Sequence, residues 1–530
     1  MNELRKEIFP WILGHSPLFL LPLLILILYL PAFQHDFILD DSWLVIENPY
    51  IKSWKYLPQL LGKDAWNLWG QNDYWRPVFS LSLALDYSLW GLNPFGFHLT
   101  NLILHAINAV LLYSLGNKLQ GRTCAVFASL LYALHPIQAH AVSVIATRGD
   151  LLAALFALLS VGAFLSRKTN LFVPWLVLAL LSKEVSVVLP LVFIIGSIIL
   201  QREKPDLRHL LGFAILGVYF ATRLSLGFSF SLPVLIFSYD ASTTHRILLV
   251  FKVLGLYILS ILNLFEIPHP FWTVAVPTSL YDPYVIVGIL IFGLLLGAVW
   301  KNFKDAPLMT FGLTWFVIYF LPISNLKELN QPMAEHWLYI PMIGISLAFG
   351  SALNSSALRL PDVRLIRTGV LTMVVGFLVI AALVAREKTK IYQNDELFLL
   401  AAVRANPQVA GLYSNLGGYY LAKQDAPKAQ QAFAKALEHD PEDFLANYGM
   451  GILTSAAGRR DEAKAYLKIV VRSDPSQLQP ILIVAHAWEM LDNKQWALFY
   501  YRKALDLDSQ SSRIRQKVAV LTNSVSPLDK

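Results

Sequence analysis

The chain has 530 residues, of which 56% are hydrophobic and 15% are charged, and its mean hydropathy is +0.51. A soluble domain carries about 25% charged residues, so this composition predicts that lipid surrounds most of the chain. The formal net charge of +7 is too small for this length to indicate nucleic-acid binding. The single cysteine, Cys124, excludes an internal disulfide framework and a thiolate zinc site.

Long apolar segments, separated by short polar loops, follow one another from Trp11 to about Ala385. Each is predicted to be a membrane-spanning helix, and the shorter ones to tilt or to be partly re-entrant. The predicted spans are residues 11–30, 97–115, 123–135, 150–165, 171–182, 185–200, 209–224, 246–264, 284–300, 308–322, 337–355 and 368–385. We expect about 11 to 13 crossings, because between Arg223 and Pro283 either Leu226–Phe237 crosses or 246–264 enters and returns.

Lysine and arginine recur in alternate loops, which indicates that these loops face the cytoplasm. The basic loops contain Arg5, Lys6, Lys118, Arg122, Arg167, Lys168, Arg202, Lys204, Arg208, Lys301, Lys304, Arg359, Arg364 and Arg367. The first long loop, residues 31–97, is then predicted on the opposite, outer face. Three basic residues just after the last span mildly oppose this orientation, because they would lie on the outer face: Arg386, Lys388 and Lys390.

Two adjacent carboxylates, Asp40 and Asp41 in FILDDSW, follow the first span. Beside a hydrocarbon span such a pair needs water, a cation or a positively charged partner. One carboxylate can accept a proton from an attacking hydroxyl while the other orients a cation or raises the basicity of its neighbour. A solvated turn is the alternative. The same loop is rich in tryptophan and tyrosine, which favour the membrane interface and could also stack on a sugar ring.

Other polar side chains gather at the outer ends of the predicted spans. The guanidinium of Arg76 suits a lipid-linked phosphate, although it could instead reach the membrane interface. His98 and His105 share one helix face with Asn101, as expected for a polar cavity, and Asp150 either joins this lining or caps its span. No spacing typical of zinc ligands connects the histidines. The remaining members are His135, His140, Arg148, Lys183, Glu184, Arg223, Glu335, His336 and Tyr339.

A different pattern begins after the last span. Asn406-Pro407, Asp440-Pro441 and Asp474-Pro475 recur at a spacing of 34 residues, the period of the tetratricopeptide helix-turn-helix repeat. We predict repeats near 410–443, 444–477 and 478–511 and a capping helix at about 510–522. The chain therefore divides into a membrane domain, residues 1–388, and a repeat domain, residues 389–530. Loop charges place the repeats on the outer face, where their concave surface suggests docking of a polypeptide.

Five segments resemble blocks of the transmembrane-and-TPR O-mannosyltransferase-like proteins, which are GT-C glycosyltransferases. They are FILDDSW, YWRPVFSLSLALDYSLWGLNPFGFHLTNLILH, HPIQAHAVSVIATRGDLLAALF, LSKEVSVVLPL and AEHWLYIP. The resemblance covers nearly the whole chain. It implies an all-α, polytopic membrane helix bundle of the GT-C type followed by tetratricopeptide repeats. It also implies transfer of a sugar, mannose or another hexose, from a polyprenyl-phosphate donor to Ser/Thr hydroxyls of a polypeptide outside the cytoplasm.

Carried over residue by residue, the resemblance implies that Asp40 or Asp41 is the catalytic base. We expect a single displacement with inversion, and either cationic side chains or Mg²⁺ or Mn²⁺ held by the acidic pair at the leaving phosphate. The predicted phosphate-binding residues are Arg76, Arg148, Lys183 and Arg223. The predicted substrate pocket comprises His98, His105, His135, His140, Asp150, Glu184, Glu335, His336 and Tyr339.

One position departs from the family pattern, because His336 stands where relatives usually have arginine. The scarcity of cysteine and the lack of a retention signal favour a bacterial inner-membrane protein with a periplasmic site. A membrane-anchored scaffold without catalysis and a lipid-linked sugar transporter remain alternative functions.

Overall fold

The computed structural model describes residues 18–65, 74–228, 242–264, 274–327, 329, 331–354, 364–475, 478–507 and 511–524, with only the backbone at 364–367. All regular structure within these ranges is helical, which confirms the predicted all-α class. The described helices form two units, one that extends to Asn394 and one that begins at Asp395.

The first unit contains fifteen described helices, which we number in chain order. They are α1 (Leu18–Leu28), α2 (Leu57–Gly62), α3 (Pro77–Trp90), α4 (Pro94–Gln120), α5 (Arg122–Leu134), α6 (Ala139–Ser143), α7 (Arg148–Leu165), α8 (Thr169–Ser182), α9 (Leu189–Ile195), α10 (Leu207–Ser225), α11 (Thr243–Leu262), α12 (Pro283–Asn302), α13 (Pro307–Phe320), α14 (Pro341–Ala352) and α15 (Arg364–Thr389). Short helical turns connect several of them.

Seven described segments are long and apolar enough to cross a membrane. They are Pro94–Gln120, Ile145–Leu165, Glu184–Gln201, Leu207–Ser225, Thr243–Leu262, Pro283–Asn302 and Thr368–Tyr392. An eighth would be the bent pair Arg122–Leu134 and Pro136–Ser143, and four shorter apolar helices are Leu18–Leu28, Thr169–Ser182, Pro307–Ile323 and Pro341–Ala352. Every predicted span therefore has a helical counterpart, and the protein is a multi-pass membrane protein.

The predicted number of crossings stays a prediction, because it depends on which short helices traverse the bilayer. Most of the alternative crossing at Leu226–Phe237, from residue 229 onward, lies outside the described residues. Residues 11–17 of the first predicted span also lie outside them. Arg5, Lys6, Arg359 and the side chains of Arg364 and Arg367 also lie outside the described part of the chain.

Glycine allows α13 and α14 to pack backbone against backbone. A Cβ atom added at Gly312 would lie 2.4 Å from the carbonyl oxygen of Gly344, and one added at Gly344 would lie 2.3 Å from that of Gly312. In lipid, where water does not drive helices together, such close contact is a main source of association. The crossing fixes the segment between the two helices, which carries Glu335 and His336.

The last long helix of the first unit, α15, brings the end of that unit to the long loop after α1. After α15 a short turn, Lys390–Tyr392, leads to Gln393, whose carbonyl accepts a hydrogen bond from the Asp36 amide at 2.9 Å. The basic residues here have local partners: Arg386 donates to the Ile27 carbonyl, and Lys388 and Lys390 form ion pairs. Their charge is therefore a weak indicator of membrane orientation.

The second unit is a stack of helix pairs. It contains α16 (Asp395–Ala405), α17 (Ala410–Ala422), α18 (Ala426–His439), α19 (Phe444–Ala456), α20 (Arg460–Val470), α21 (Leu478–Met490), α22 (Lys494–Leu507) and α23 (Ser512–Ser524). Phe433 of α18 packs where Gly417 and Gly449 lack side chains. α17–α22 lie within the stretches predicted as three repeats and α23 overlaps the stretch predicted as a capping helix, whereas α16 precedes the first of these stretches.

Candidate functional site

The acidic pair lies at a turn where the two carboxylates have different surroundings. Asp40 is exposed, whereas Asp41 is buried and accepts backbone hydrogen bonds from Ala146 at 2.7 Å and Ile38 at 3.3 Å. Burial raises the pKa of Asp41 to about 7, although these amide donors oppose the rise. Leu39, just before the pair, has a φ of 49°, which is uncommon for a residue with a branched side chain. The backbone is thus constrained where the pair begins.

A group of oppositely charged side chains surrounds Glu184 at the start of the segment after α8. Arg76 contacts both carboxylate oxygens of Glu184, with nitrogen–oxygen distances of 2.8–3.2 Å. Arg223 approaches the same carboxylate at 3.8 Å, and Lys183 contacts both oxygens of Asp150 at 2.7 Å. Among the described residues, three cationic side chains therefore contact two carboxylates. The Arg76 and Glu184 side chains are 12% and 25% exposed, so solvent reaches this cluster.

One short stretch connects the acidic pair to the cationic cluster. The Ala146 amide binds Asp41, and four residues later Asp150 binds Lys183. Four residues along a helix correspond to about 6 Å, and Arg148 begins α7 between these two positions. The turn before α7 therefore fixes Asp41 and the Asp150–Lys183 pair together. Asp150 points to Lys183 rather than acting as the cap of α7, whose cap residue is Thr147.

Arg148 does not occupy the position predicted for a phosphate-binding residue. It is fully buried and forms a 2.7 Å ion pair with Asp86 of α3. Its remaining donors reach Asn101 Oδ1 at 2.7 Å, the Phe97 carbonyl at 2.9 Å and the carbonyl and hydroxyl of Ser82 at 3.3 and 3.4 Å. Every guanidinium nitrogen thus has a protein partner, so Arg148 connects α3, α4 and α7 inside the fold.

Four residues of the predicted pocket are interior contacts instead. His105 donates to or accepts from the Tyr339 hydroxyl at 2.8 Å, and Asn108 donates to that hydroxyl at 3.1 Å. His135 accepts from the Ile137 amide, and its other ring nitrogen contacts the Ile261 carbonyl at 2.9 Å. His98 is buried with its ring 5.4 Å from that of His35. His98, His105, His135 and Tyr339 are all buried.

A second polar group forms where the α13–α14 connection meets the end of α15. Glu335 pairs with Lys388 at 2.7 Å and accepts a 3.4 Å hydrogen bond from the Tyr392 hydroxyl. The His140 ring stacks on Tyr392 at 5.1 Å and meets the edge of His336 at 4.8 Å. Burial lowers the pKa of His336 well below its usual range, with Lys183 and His140 nearby adding to the effect. His336 is therefore neutral here, unlike the arginine that the family resemblance leads one to expect at this position.

The acidic pair offers a poor ligand set for the expected divalent cation. Both Asp41 oxygens already accept amide hydrogen bonds, which leaves Asp40 as the available carboxylate. Among the described residues, no three His, Cys, Asp or Glu side chains lie together in a way that could hold a metal ion. We therefore assign no step of the reaction to a bound cation.

Two important residues are absent from the sequence-based site. Asp86 lies in an apolar stretch that was assigned to a loop, and a lone carboxylate among apolar residues could have indicated a buried partner. Lys388 was treated only as an orientation signal, because the sequence does not reveal that the last span ends beside Glu335.

A multi-pass helical unit with a polar site, followed by stacked helix pairs, defines a membrane protein with tetratricopeptide repeats. A tetratricopeptide-repeat family model matches residues 420–480. A protein O-mannosyl-transferase of Caenorhabditis elegans is 25% identical over 354 residues, which are 63% of this chain and 51% of that protein. TMTC4 of Mus musculus is 23% identical over 468 residues, 74% of this chain and 62% of that protein.

A shorter match has higher identity. Protein O-mannosyl-transferase TMTC1 of Homo sapiens is 34% identical over 155 residues, 26% of this chain and 16% of that protein. The matched region thus spans about half of the worm protein and a small part of the human one. Among solved structures, ArnT from Cupriavidus metallidurans bound to undecaprenyl phosphate aligns over 87% of this chain and 81% of its own, with 14% identity and a TM-score of 0.38. The curated relatives confirm the resemblance to the TMTC protein O-mannosyl-transferases.

Proposed function

We propose that this protein transfers a sugar, mannose or another hexose, from a polyprenyl-phosphate donor to a Ser/Thr hydroxyl of a polypeptide. The relatives of this chain are named protein O-mannosyl-transferases. The observation that carries the proposal is the contrast within the acidic pair: Asp40 is exposed, and Asp41 beside it is fixed by two backbone amides. A general base must be both held in place and accessible.

The acceptor hydroxyl attacks the anomeric carbon, and Asp40 takes its proton. Asp41 positions the turn, because its oxygens are already committed to Ile38 and Ala146. The sequence alone left open whether Asp40 or Asp41 is the base, and we now propose Asp40. A single in-line displacement inverts the configuration at the anomeric carbon.

The leaving group is a polyprenyl phosphate, which needs positive charge as the glycosidic bond breaks. Arg76, Arg223 and Lys183, which lie together around Glu184 and Asp150, supply this charge. Glu184 holds the Arg76 fork in a fixed orientation, so the phosphate meets a preorganised donor. Arg148 is removed from this set, because its nitrogens contact Asp86 and other protein groups.

We place the reaction on the periplasmic face of a bacterial inner membrane. The support is the alternation of basic loops along the sequence, which puts loop 31–97 on the outer side. The repeats present the acceptor polypeptide, since stacked helix pairs offer an extended concave surface.

The test is transfer of radiolabelled mannose from a synthetic polyprenyl-phosphate mannose to a Ser/Thr-rich peptide by the purified protein in liposomes. Asp40→Asn is expected to lower turnover by about 100- to 10,000-fold, the usual contribution of a general base. Glu47→Gln is the matched control, because Glu47 is an exposed carboxylate of the same loop.

Near-normal turnover by Asp40→Asn would move the base elsewhere, and no transfer by the unaltered protein with any hexose donor would contradict the proposed activity. Movement of the lipid-linked sugar across the liposome without transfer would favour a transporter.

A further inference from the structure

The segment that leaves the membrane unit, Lys388–Gln393, contacts three separate parts of the site, and we call it the exit segment. Lys388 and Tyr392 both bind Glu335, so each carboxylate oxygen has a donor from this one segment. The Tyr392 ring also stacks on His140. The Gln393 carbonyl binds the amide of Asp36, four residues before Asp40.

Burial distinguishes these contacts from ordinary surface ion pairs. The side chains of Lys388 and Glu335 are 6% and 4% exposed, whereas those of the neighbouring pair Lys390 and Glu387 are 52% and 68% exposed. An exposed pair contributes little, because water and salt screen it. Loss of one partner from a buried pair leaves an uncompensated charge, so the surrounding groups must rearrange.

We propose that two buried side chains of the exit segment, Lys388 and Tyr392, are positioning residues of the transfer site, whereas the exposed Lys390 is not. Lys388 and Tyr392 fix Glu335 and the His140–His336 edge. The Gln393 carbonyl, through the Asp36 amide, anchors the backbone that carries Asp40. This inference rests on the proposed function and concerns Lys388 and Tyr392, which lie outside the site predicted from the sequence.

The experiment compares Lys388→Met with Lys390→Met in the full chain, using the polyprenyl-phosphate mannose assay. Lys388→Met is expected to lower kcat at least tenfold, and Lys390→Met to stay within twofold of the unaltered protein. Lys388→Arg should recover much of the loss, since it keeps the charge near Glu335. Equal effects of the two methionine variants would overturn the proposal.

A double variant separates positioning from folding. Lys388→Met alone should lower the thermal midpoint, because it leaves the buried Glu335 charge without its lysine. Lys388→Met with Glu335→Gln removes both buried charges, so the midpoint should return close to that of the unaltered protein. If the exit segment positions the site, kcat stays low despite this recovery. Recovery of kcat together with the midpoint would mean that the pair is only a structural contact.

A crosslink tests the geometry without relying on activity. Cys124 is buried, so a chain with Asp36→Cys and Gln393→Cys has little competing thiol chemistry. A disulfide should form rapidly under mild oxidation, and the crosslinked protein should retain transfer, because the segment stays bound during the reaction. Failure to crosslink, or transfer only after reduction, would overturn the proposal. Absence of transfer from the unaltered protein would instead refute the proposed function. In that case the crosslinking result alone would test the contact between Asp36 and Gln393.

Discussion

Asp41 makes the stability of the protein depend on pH in an unusual direction. A free aspartate ionises near pH 4, whereas burial raises the pKa of Asp41 to about 7 in the folded chain. Between these values the folded state holds a proton that the unfolded chain has lost. The contribution of this site to stability is therefore largest below about pH 4 and declines as the pH rises through 7.

Asp41→Asn is expected to raise the thermal midpoint, relative to the unaltered protein, more at pH 8 than at pH 5. Any packing cost of the amide beside Ile38 is similar at both values, so the difference isolates the buried charge. Unfolding of the detergent-solubilised protein, followed by loss of the monodisperse peak, measures it. Glu47→Gln, which alters an exposed carboxylate, is the control. A change in midpoint that is the same at pH 5 and pH 8 would contradict a raised pKa.

Arg76 and Arg148 were both predicted to bind phosphate, but their substitution should have different effects. Arg76→Lys should raise the donor KM several-fold at near-normal stability, because a point charge cannot replace the fork that meets phosphate and Glu184. Arg148→Lys should instead lower the thermal midpoint, since one ammonium cannot satisfy Asp86, Asn101 and the Phe97 carbonyl.

Arg167→Lys and Arg202→Lys, in loops assigned to the cytoplasm, are the controls for transfer kinetics. A higher donor KM for Arg148→Lys with an unchanged midpoint would restore that residue to the phosphate site.

The sequence motifs predicted which polar residues lie near the site, but not which side chains form ion pairs with one another. Arg148 and Asp150 are two positions apart, yet Arg148 faces Asp86 and Asp150 faces Lys183. Side chains two apart on a helix point in different directions, and the partner of each is set by packing of distant segments. Sequence spacing alone therefore could not separate the phosphate site from the interior network.

At the scale of helices, hydropathy was sufficient to locate the spans, since a run of apolar residues has few alternatives in lipid. It failed for α3, which lies inside the predicted outer loop. That helix has 14 residues and carries a carboxylate, and it buries Phe79, Leu83 and Asp86. Its role is to support Arg148, which becomes visible only when α4 and α7 are packed beside it.

The crossing of α13 and α14 should tolerate no side chain at its centre. Gly312→Ala should destabilise the protein by about 1–3 kcal/mol, because the new methyl group would overlap the Gly344 carbonyl and force the helices apart. Gly293→Ala on α12, where nothing lies within 4 Å of the added atom, is the matched control. Thermal midpoints in detergent compare them, and equal midpoints would contradict the close packing.

At the scale of the whole molecule, the repeats are expected to select the acceptor rather than to perform the transfer. Deletion of residues 395–530 should spare slow hydrolysis of the donor by water yet strongly reduce glycosylation of the native polypeptide. The deletion leaves Lys388–Gln393 in place, so the membrane unit keeps these contacts. Separate assays of released mannose and of glycosylated polypeptide distinguish the two activities. Loss of both from correctly inserted protein would assign the repeats a part in the chemistry.

The distribution of the site along the chain sets the order in which a newly made molecule becomes competent. Asp36 is synthesised early, but its amide has no Gln393 carbonyl to bind until α15 has entered the membrane. Glu335 likewise waits for Lys388. A ribosome that has released the first 380 residues has therefore made nearly every transmembrane helix and still no finished site. The proposed site is therefore complete only when the last membrane helix is in place, and the repeats are synthesised after that point.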